Sequence, residues 1–136
     1  MKTLLKKKNC RKGTTTVEFA MTVPLVFLLF FGAIDFSRYN MLLHSIDNAA
    51  YEGARRGIVP GATTDEVRDE VERLLAVVGA RAATIEIQPD EIRSDTENVT
   101  VSISLPMNVN AYLAPRFLNG KTVDASCTLV TETSKL

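Results

Sequence analysis

Few side chains in this sequence have the types and spacing that catalysis or metal binding requires. His44 is the only histidine, and the two cysteines, Cys10 and Cys127, lie near opposite ends of the chain. They form neither a CxxC motif nor a metal-binding spacing, and the sequence contains no glycine-rich phosphate loop or nucleophile elbow. We therefore predict no catalytic residue, no metal site and no cofactor. We interpret Cys127 as a small buried apolar side chain.

An acidic stretch is a candidate for a cation site. Its members are Asp65, Glu66, Asp69, Glu70 and Glu72. They recur at the spacing of a helix surface, whereas a calcium site takes its ligands from alternating positions of an irregular loop. We therefore predict a solvated helix face. The glycosylation sequon Asn98-Val99-Thr100 lies inside a predicted strand and is interpreted as a chance match.

The N-terminus carries a different chemistry, that of membrane insertion and processing. The 16 Lys and Arg residues balance the 16 Asp and Glu residues, but residues 1–13 hold six basic residues and no acid. Residues 19–34 carry no charge, and 14–34 contain one charged residue, Glu18. About 20 apolar residues span a bilayer, and basic flanks stay on its cytoplasmic side. We predict a cytoplasmic N-terminus with the rest of the chain across the membrane. Because the basic residues form a short tail and not a folded surface, we expect no nucleic-acid binding.

Three kinds of processing fit such an N-terminus. A secretory signal would be cut after the apolar run, where Ala33 is followed by the unsuitable sequence Ile34-Asp35-Phe36. A lipoprotein signal needs a cysteine after the run, but Cys10 precedes it. The third alternative is cleavage ahead of the run, between Gly13 and Thr14, where the basic leader meets the apolar segment. A glycine there would let a peptidase approach the backbone closely.

Glu18 would be the fifth residue of a chain that begins at Thr14. A carboxylate inside a membrane segment costs about 2.5–3.5 kcal/mol on insertion scales, so its presence invites a functional explanation. In a helical assembly it would pair with the new α-amino group of a neighbouring subunit. Alternatively, it lies in the headgroup region, where it costs little. The residues alone leave both alternatives open.

The order of these features is similar to that of a known family. A basic leader is followed by Gly13, by Glu18, by Pro24 within the apolar run, and by the segments Gly32–Arg38 and Asn48–Gly57. In this order and spacing, roughly residues 11–58 resemble the TadE family. That family comprises minor pilins, or pseudopilins, of the tight-adherence (type IVb) pilus system.

The resemblance implies roles for the matching residues. Gly13 and Thr14 would flank the bond cut by a prepilin peptidase at the cytoplasmic face. Glu18 would serve peptidase recognition, subunit docking or both, and Pro24 would belong to the docking segment. The implied partners are the membrane, the prepilin peptidase, other pilins or pseudopilins and the pilus assembly platform. Thr14 departs from the phenylalanine with which many type IV pilins begin.

The same resemblance implies a location. The protein would be a single-pass component of the bacterial inner (cytoplasmic) membrane, with its C-terminal domain outside the cytoplasm. It would either be incorporated into an extracellular pilus or only prime its assembly. Whether that pilus serves adhesion, secretion or DNA uptake does not follow from the sequence.

A long helix must position these residues. We predict that it runs from Thr14 to Arg56, over roughly 60 Å, with a kink at its proline and an end at Pro60-Gly61. Small residues at 49, 53 and 57 form a narrow strip that would let a sheet or another helix approach closely. Gly57 could instead serve only as the helix C-cap.

A second helix and three strands follow. Thr63 and Glu66 fit a capping box, and Glu52 is spaced to pair with Arg56. Alternating apolar residues predict strands at 84–88, 98–105 and 122–131, with one packed and one polar face. The apolar stripe of the second helix consists of Val67, Val71, Leu74, Leu75 and Val78, and the helix ends at Gly79. The connection over 106–120, which would contact a partner or cover the sheet edge, contains Tyr112, Leu113, Phe117 and Leu118.

The predicted fold is α+β and pilin-like: a long N-terminal transmembrane and projecting helix, a short second helix and a three-stranded, mainly antiparallel sheet. The predicted divisions are a basic leader at 1–13, the long helix at 14–57 with its membrane segment at about 14–34, and an extracytoplasmic α+β head at 58–136. We favour a minor pilin or pseudopilin function. The alternative is a membrane-anchored scaffold or binding protein that never enters a filament, and an anchored enzyme is a distant third. Cleavage ahead of the apolar run favours the first, because an anchor needs no trimming.

Overall fold

The computed structural model describes residues 11–93, 96–112 and 120–131. The elements, in chain order, are α1 (Arg11–Gly57), α2 (Thr64–Val77), β1 (Thr84–Gln88), β2 (Asn98–Pro106) and β3 (Thr122–Val130). This long helix, short helix and three-stranded sheet confirm the predicted α+β fold. Most of the predicted leader, with Cys10, lies outside the described residues, as do Leu113, Phe117 and Leu118 of the β2–β3 connection.

The chain forms two compact units, Met1–Ile34 and Asp35–Leu136. The first unit contains the N-terminal part of α1, whose described residues are helical from Arg11, three residues ahead of the predicted start at Thr14. Arg and Lys are good helix formers, and a single glycine at position 13 does not break a helix, so the helical backbone extends back into the basic segment. Pro24 lies inside α1, and the kink expected there stays a prediction.

The second unit is built on the sheet. Its strand order is β1-β2-β3 with both pairs antiparallel, and Val101 in β2 lies opposite Ile87 in β1 and Cys127 in β3. Burial alternates along β2 as a half-buried strand requires. The buried positions of β2 are Val99, Val101, Ile103 and Leu105, whereas Thr100, Ser102 and Ser104 are half-buried on the opposite face. The predicted packed face and polar face are therefore confirmed.

The polar face of the sheet carries paired hydroxyl groups. The hydroxyl oxygens of Thr100 and Thr128 lie 2.8 Å apart, and those of Ser102 and Ser126 lie 3.0 Å apart. Both pairs are directly cross-strand in the β2–β3 register. Each such Ser or Thr pair stabilises the pairing of the two strands by roughly 0.2–1 kcal/mol.

The packed face of the sheet meets both helices. The predicted stripe of α2 is present, with Val67, Val71 and Leu75 buried and Leu74 and Val78 partly buried against the core. Cys127 is half-buried beside this core, so it is more accessible than we predicted. The α1 residues in the core are Leu42, Ile46, Ala49, Ala50 and Ala54. All of them belong to the Asp35–Leu136 unit, so the C-terminal part of α1 is a structural element of that unit.

The glycines of the small-residue strip lie where α1 is closest to its neighbours. A β-carbon on Gly53 would be 2.5 Å from Cγ2 of Val71 in α2 and 3.5 Å from Cγ1 of Val101 in β2. A β-carbon on Gly57 would be 2.7 Å from Cγ1 of Val99. The predicted close approach of a helix and a sheet is therefore confirmed. The backbone at Gly57 is not left-handed, so its contact role explains the glycine better than a left-handed C-cap does.

The start of α2 has the Thr63 half of the predicted capping box, but not the reciprocal bond from Glu66, whose carboxylate pairs with Arg56 instead. The hydroxyl of Thr63 accepts a hydrogen bond from the backbone N–H of Glu66 at 3.3 Å. The side chain of Glu66 accepts a hydrogen bond from the guanidinium of Arg56 at 2.9 Å. The predicted Glu52–Arg56 pair is therefore wrong, since Glu52 pairs with Arg55 at 3.5 Å. Periodicity within α1 could not reveal that α2 brings a competing carboxylate to Arg56.

Candidate functional site in the N-terminal part of α1

The residues predicted to undergo processing lie together in the N-terminal part of α1 that the structure describes. Gly13, Thr14 and Glu18 are all helical and exposed. Nothing lies within 4 Å of a β-carbon built on Gly13, so this glycine is not explained by packing within the chain. Thr14 and Glu18 are four residues apart, which places them on the same side of the helix, one turn from each other.

The Gly13–Thr14 peptide bond lies within a helix that a protease would have to open. Glycine is about 1 kcal/mol less favourable in a helix than alanine, so Gly13 lowers the cost of opening this turn. An exposed glycine in this helix therefore combines backbone access with a lower cost of local unwinding, as a cleavage site requires.

Glu18 lies on an exposed and otherwise apolar surface. Its backbone carbonyl accepts a hydrogen bond from the hydroxyl of Thr22 at 2.8 Å, so Thr22 satisfies its own polar group within the helix. Pro24 is also exposed and has no N–H to give to the carbonyl of Ala20. The large side chains that surround these residues are more than half exposed: Val17, Phe19, Met21, Leu25, Val26, Phe27, Leu28, Leu29 and Phe30.

This exposure indicates an apolar solvent for the helix. A soluble protein rarely leaves a contiguous apolar surface of this extent in water. By length and composition, the helix over Gly13–Gly57 can cross a membrane, and no residue of its most apolar window is buried within the protein. One apolar N-terminal helix of this kind fits a single-pass membrane protein.

The acidic stretch at 65–72 lies on the α2 surface, where ion pairs form. Glu70 pairs with Arg73 at 2.5 Å, and the hydrogen bond from that guanidinium lowers the pKa of the Glu70 carboxyl below its ordinary value. Asp65 and Glu66 occupy the first turn of α2, where their negative charges interact favourably with the helix dipole. Within the described ranges, no group of three His, Cys, Asp or Glu side chains is placed to hold a metal ion.

A second cluster, around Arg38, was not predicted from the sequence. Its guanidinium donates hydrogen bonds to the carbonyls of Val78 at 2.7 Å and Gly79 at 3.1 Å, just beyond the end of α2. The same guanidinium lies over the ring of Tyr112, 5.3 Å from its centroid. Asp35 accepts a hydrogen bond from the backbone N–H of Tyr112 at 3.0 Å. These partners are far apart in sequence, and no periodic signal links them.

A comparison with protein families gives a match for the N-terminal part of the chain. A family model described as TadE-like protein matches residues 13–55. The match begins at Gly13 and includes Glu18, Pro24 and all five buried α1 residues of the core named above. The resemblance inferred from the sequence is confirmed over this segment. The comparisons with curated proteins and with solved structures give no match.

Proposed function

We propose that this protein is a minor pilin or pseudopilin-like structural component of a tight-adherence type IVb pilus or a related secretion apparatus, and that it has no catalytic role. The TadE-like match over residues 13–55 carries the proposal and supports a pilus-associated membrane component. The assignment as a pilin rests on what lies within this segment. An exposed glycine precedes the exposed apolar stretch 14–34 of α1, which contains a single acidic residue, Glu18.

In this proposal, a prepilin peptidase cuts the Gly13–Thr14 bond at the cytoplasmic face of the membrane. The helix that remains keeps its apolar surface, so the processed chain stays in the bilayer and is available to neighbouring subunits. A new α-amino group forms at Thr14. It can be paired by Glu18 of an adjacent subunit, and we propose that this pairing fixes the register between subunits.

Cleavage is tested by replacing Gly13 with phenylalanine. We expect the wild-type chain, extracted from membranes that contain an active prepilin peptidase, to lack residues 1–13. The Gly13→Phe chain should keep them, because a bulky side chain blocks close approach of the peptidase to the backbone. Intact-mass measurement distinguishes the two forms.

Gly32→Phe is the matched control for this experiment. Gly32 lies on the same helix, and a β-carbon there also meets nothing within 4 Å, but it is far from the junction. This variant should be processed normally. A full-length leader on the wild-type chain would contradict the proposed cleavage and would favour the alternative of a membrane-anchored scaffold outside any filament.

The orientation of the chain gives a separate prediction. Six basic residues precede the apolar run, whereas Asp35 and Arg38 balance each other just beyond it, so residues beyond about Asp35 should lie outside the cytoplasm. A C-terminal tag should therefore be digested when intact spheroplasts are treated with protease. A tag that is protected until the membrane is broken would show the opposite orientation.

A further inference from the structure

We propose that the cavity beside Arg38 binds the phosphate of an anionic phospholipid headgroup at the outer surface of the membrane. The cavity has a volume of about 370 Å³ and lies within the Asp35–Leu136 unit. Its described lining residues are Arg38, Val78, Gly79, Arg81, Val109, Asn110, Ala111 and Tyr112. Two of them are arginines and none is acidic. The proposal rests on the membrane insertion of α1 that the proposed function includes.

The walls of this cavity are held by hydrogen bonds. Asn110 is buried, and its side-chain oxygen accepts the N–H of Arg81 at 2.9 Å, while its amide nitrogen donates to the carbonyls of Arg81 at 2.9 Å and Pro106 at 2.7 Å. The N–H and the carbonyl of the Arg81 backbone are therefore both held by the Asn110 side chain. Its side chain remains exposed and available to a ligand.

Arg38 supplies a cation, and not all of its N–H donors are used within the described part of the protein. Its two terminal nitrogens donate to the carbonyls of Val78 and Gly79, but its Nε is buried and has no acceptor among the residues that the structure describes. An arginine has five N–H donors, and a guanidinium is well suited to phosphate oxygens. A phosphate group that enters the cavity would meet the terminal N–H groups of Arg38 that Val78 and Gly79 leave unused, together with the exposed side chain of Arg81. Asp35, which accepts the N–H of Tyr112, is a carboxylate next to these two cations.

The chain places this cavity within reach of the bilayer surface. Arg38 follows Ile34, the last residue of the charge-free run, by four positions, so the two Cα atoms are at most about 14 Å apart. Phe36 and Tyr112 are 69% and 65% exposed, and aromatic side chains favour the headgroup level of a membrane. Two arginines and an exposed tyrosine that line one cavity, soon after a membrane segment in the sequence, fit an anionic lipid better than a soluble acidic peptide.

Hydrogen exchange can test the site locally. The full chain is placed in nanodiscs of phosphatidylcholine alone, or of phosphatidylcholine and phosphatidylglycerol at four to one. The amides of Gly79, Arg81, Ala111 and Tyr112 each donate to an acceptor near the cavity, so their exchange reports its opening. We expect phosphatidylglycerol to slow their exchange by about fivefold, the effect of one arginine near an anionic surface.

Arg81→Gln should abolish this slowing, because it removes an exposed cation without disturbing the Asn110 hydrogen bonds to the backbone. Arg55→Gln is the matched control, since Arg55 is an exposed arginine in the last turn of α1 and should not affect it. The basic leader attracts anionic lipid equally in both variants, so their comparison isolates the cavity. The amides of Ala62 and Val67, remote from the cavity in sequence, should exchange equally in all samples and so report intact folding.

Two results would overturn the proposal. Equal exchange in both lipid mixtures, for a wild-type chain that is retained by the nanodiscs, would refute the headgroup site and leave membrane insertion intact. Equal slowing by inorganic phosphate in phosphatidylcholine nanodiscs would identify free phosphate, and not lipid, as the ligand. A chain that the nanodiscs fail to retain would instead refute the insertion on which both proposals depend.

Discussion

Gly53→Leu is expected to lower the melting temperature of the Asp35–Leu136 unit by more than about 12 °C, because it forces a side chain into the contact between α1 and α2. The β-carbon alone would lie 2.5 Å from Cγ2 of Val71, and the stiff valine side chain cannot move away without displacing α2. The corresponding loss in the free energy of unfolding exceeds about 3 kcal/mol, a large part of the stability of a domain of this size. Thermal unfolding of the full chain in detergent micelles, followed by circular dichroism, measures the change.

Two further variants serve as comparisons for Gly53→Leu. Gly53→Ala should have a smaller effect, because the gain of about 1 kcal/mol in helix propensity offsets part of the crowding. Gly32→Leu lies in open space on the same helix and should leave the melting temperature unchanged. A melting temperature for Gly53→Leu equal to that of the wild type would show that α1 and α2 do not meet at Gly53.

Replacing Glu18 is expected to abolish pilus assembly while leaving the chain inserted in the membrane and largely processed. Glu18→Gln keeps the shape and removes the charge, and Glu18→Leu should insert at least as well as the wild type. No Lys or Arg lies between Thr14 and Arg38, so the α-amino group released at Thr14 of an adjacent subunit is the nearest cation for this carboxylate. A charge-assisted hydrogen bond in an apolar setting contributes on the order of a few kcal/mol, enough to decide whether subunits associate.

Piliation and co-purification with other pilins measure this effect, and intact mass reports processing. Thr22→Val is the matched control, because Thr22 is a polar residue one turn further on and its hydroxyl bonds the backbone of Glu18. Normal piliation with Glu18→Leu would make Glu18 a passive neighbour of the headgroups. Loss of processing in both Glu18 variants would place its role in peptidase recognition instead.

Local patterns predicted most of the fold. The alternation of Val99 to Leu105 placed β2 to within one residue, and the Thr63 cap placed the start of α2, because both signals depend on residues close together in sequence. The start of α1 was placed too late, since a basic helical segment carries no boundary signal. The partner of Arg56 was wrong because Glu66 reaches it only after α2 has packed against α1.

The two candidate sites differ in how far apart their residues lie in the sequence. Gly13, Thr14 and Glu18 form a linear motif, so the sequence sufficed to find them. The cluster around Arg38 joins α1 to residues some 40 and 74 positions away, and only the folded chain brings these together. Arg38 was visible in the sequence merely as a charge that flanks the apolar run.

The glycines of α1 also determine how the helix can move within the Asp35–Leu136 unit. A shift of α1 by one turn, about 5.4 Å, in one direction would place Ala49 or Ala50 opposite Val71, where there is no space for a β-carbon. A shift in the other direction would bring Gly57 to that position, but α1 ends there and has no further turn to take its place beside Val99. The helix therefore has one axial register in this unit. We therefore expect a push or pull along α1 to move α2 and the sheet with it, because crowding at Gly53 and Gly57 opposes ratcheting of one element past another.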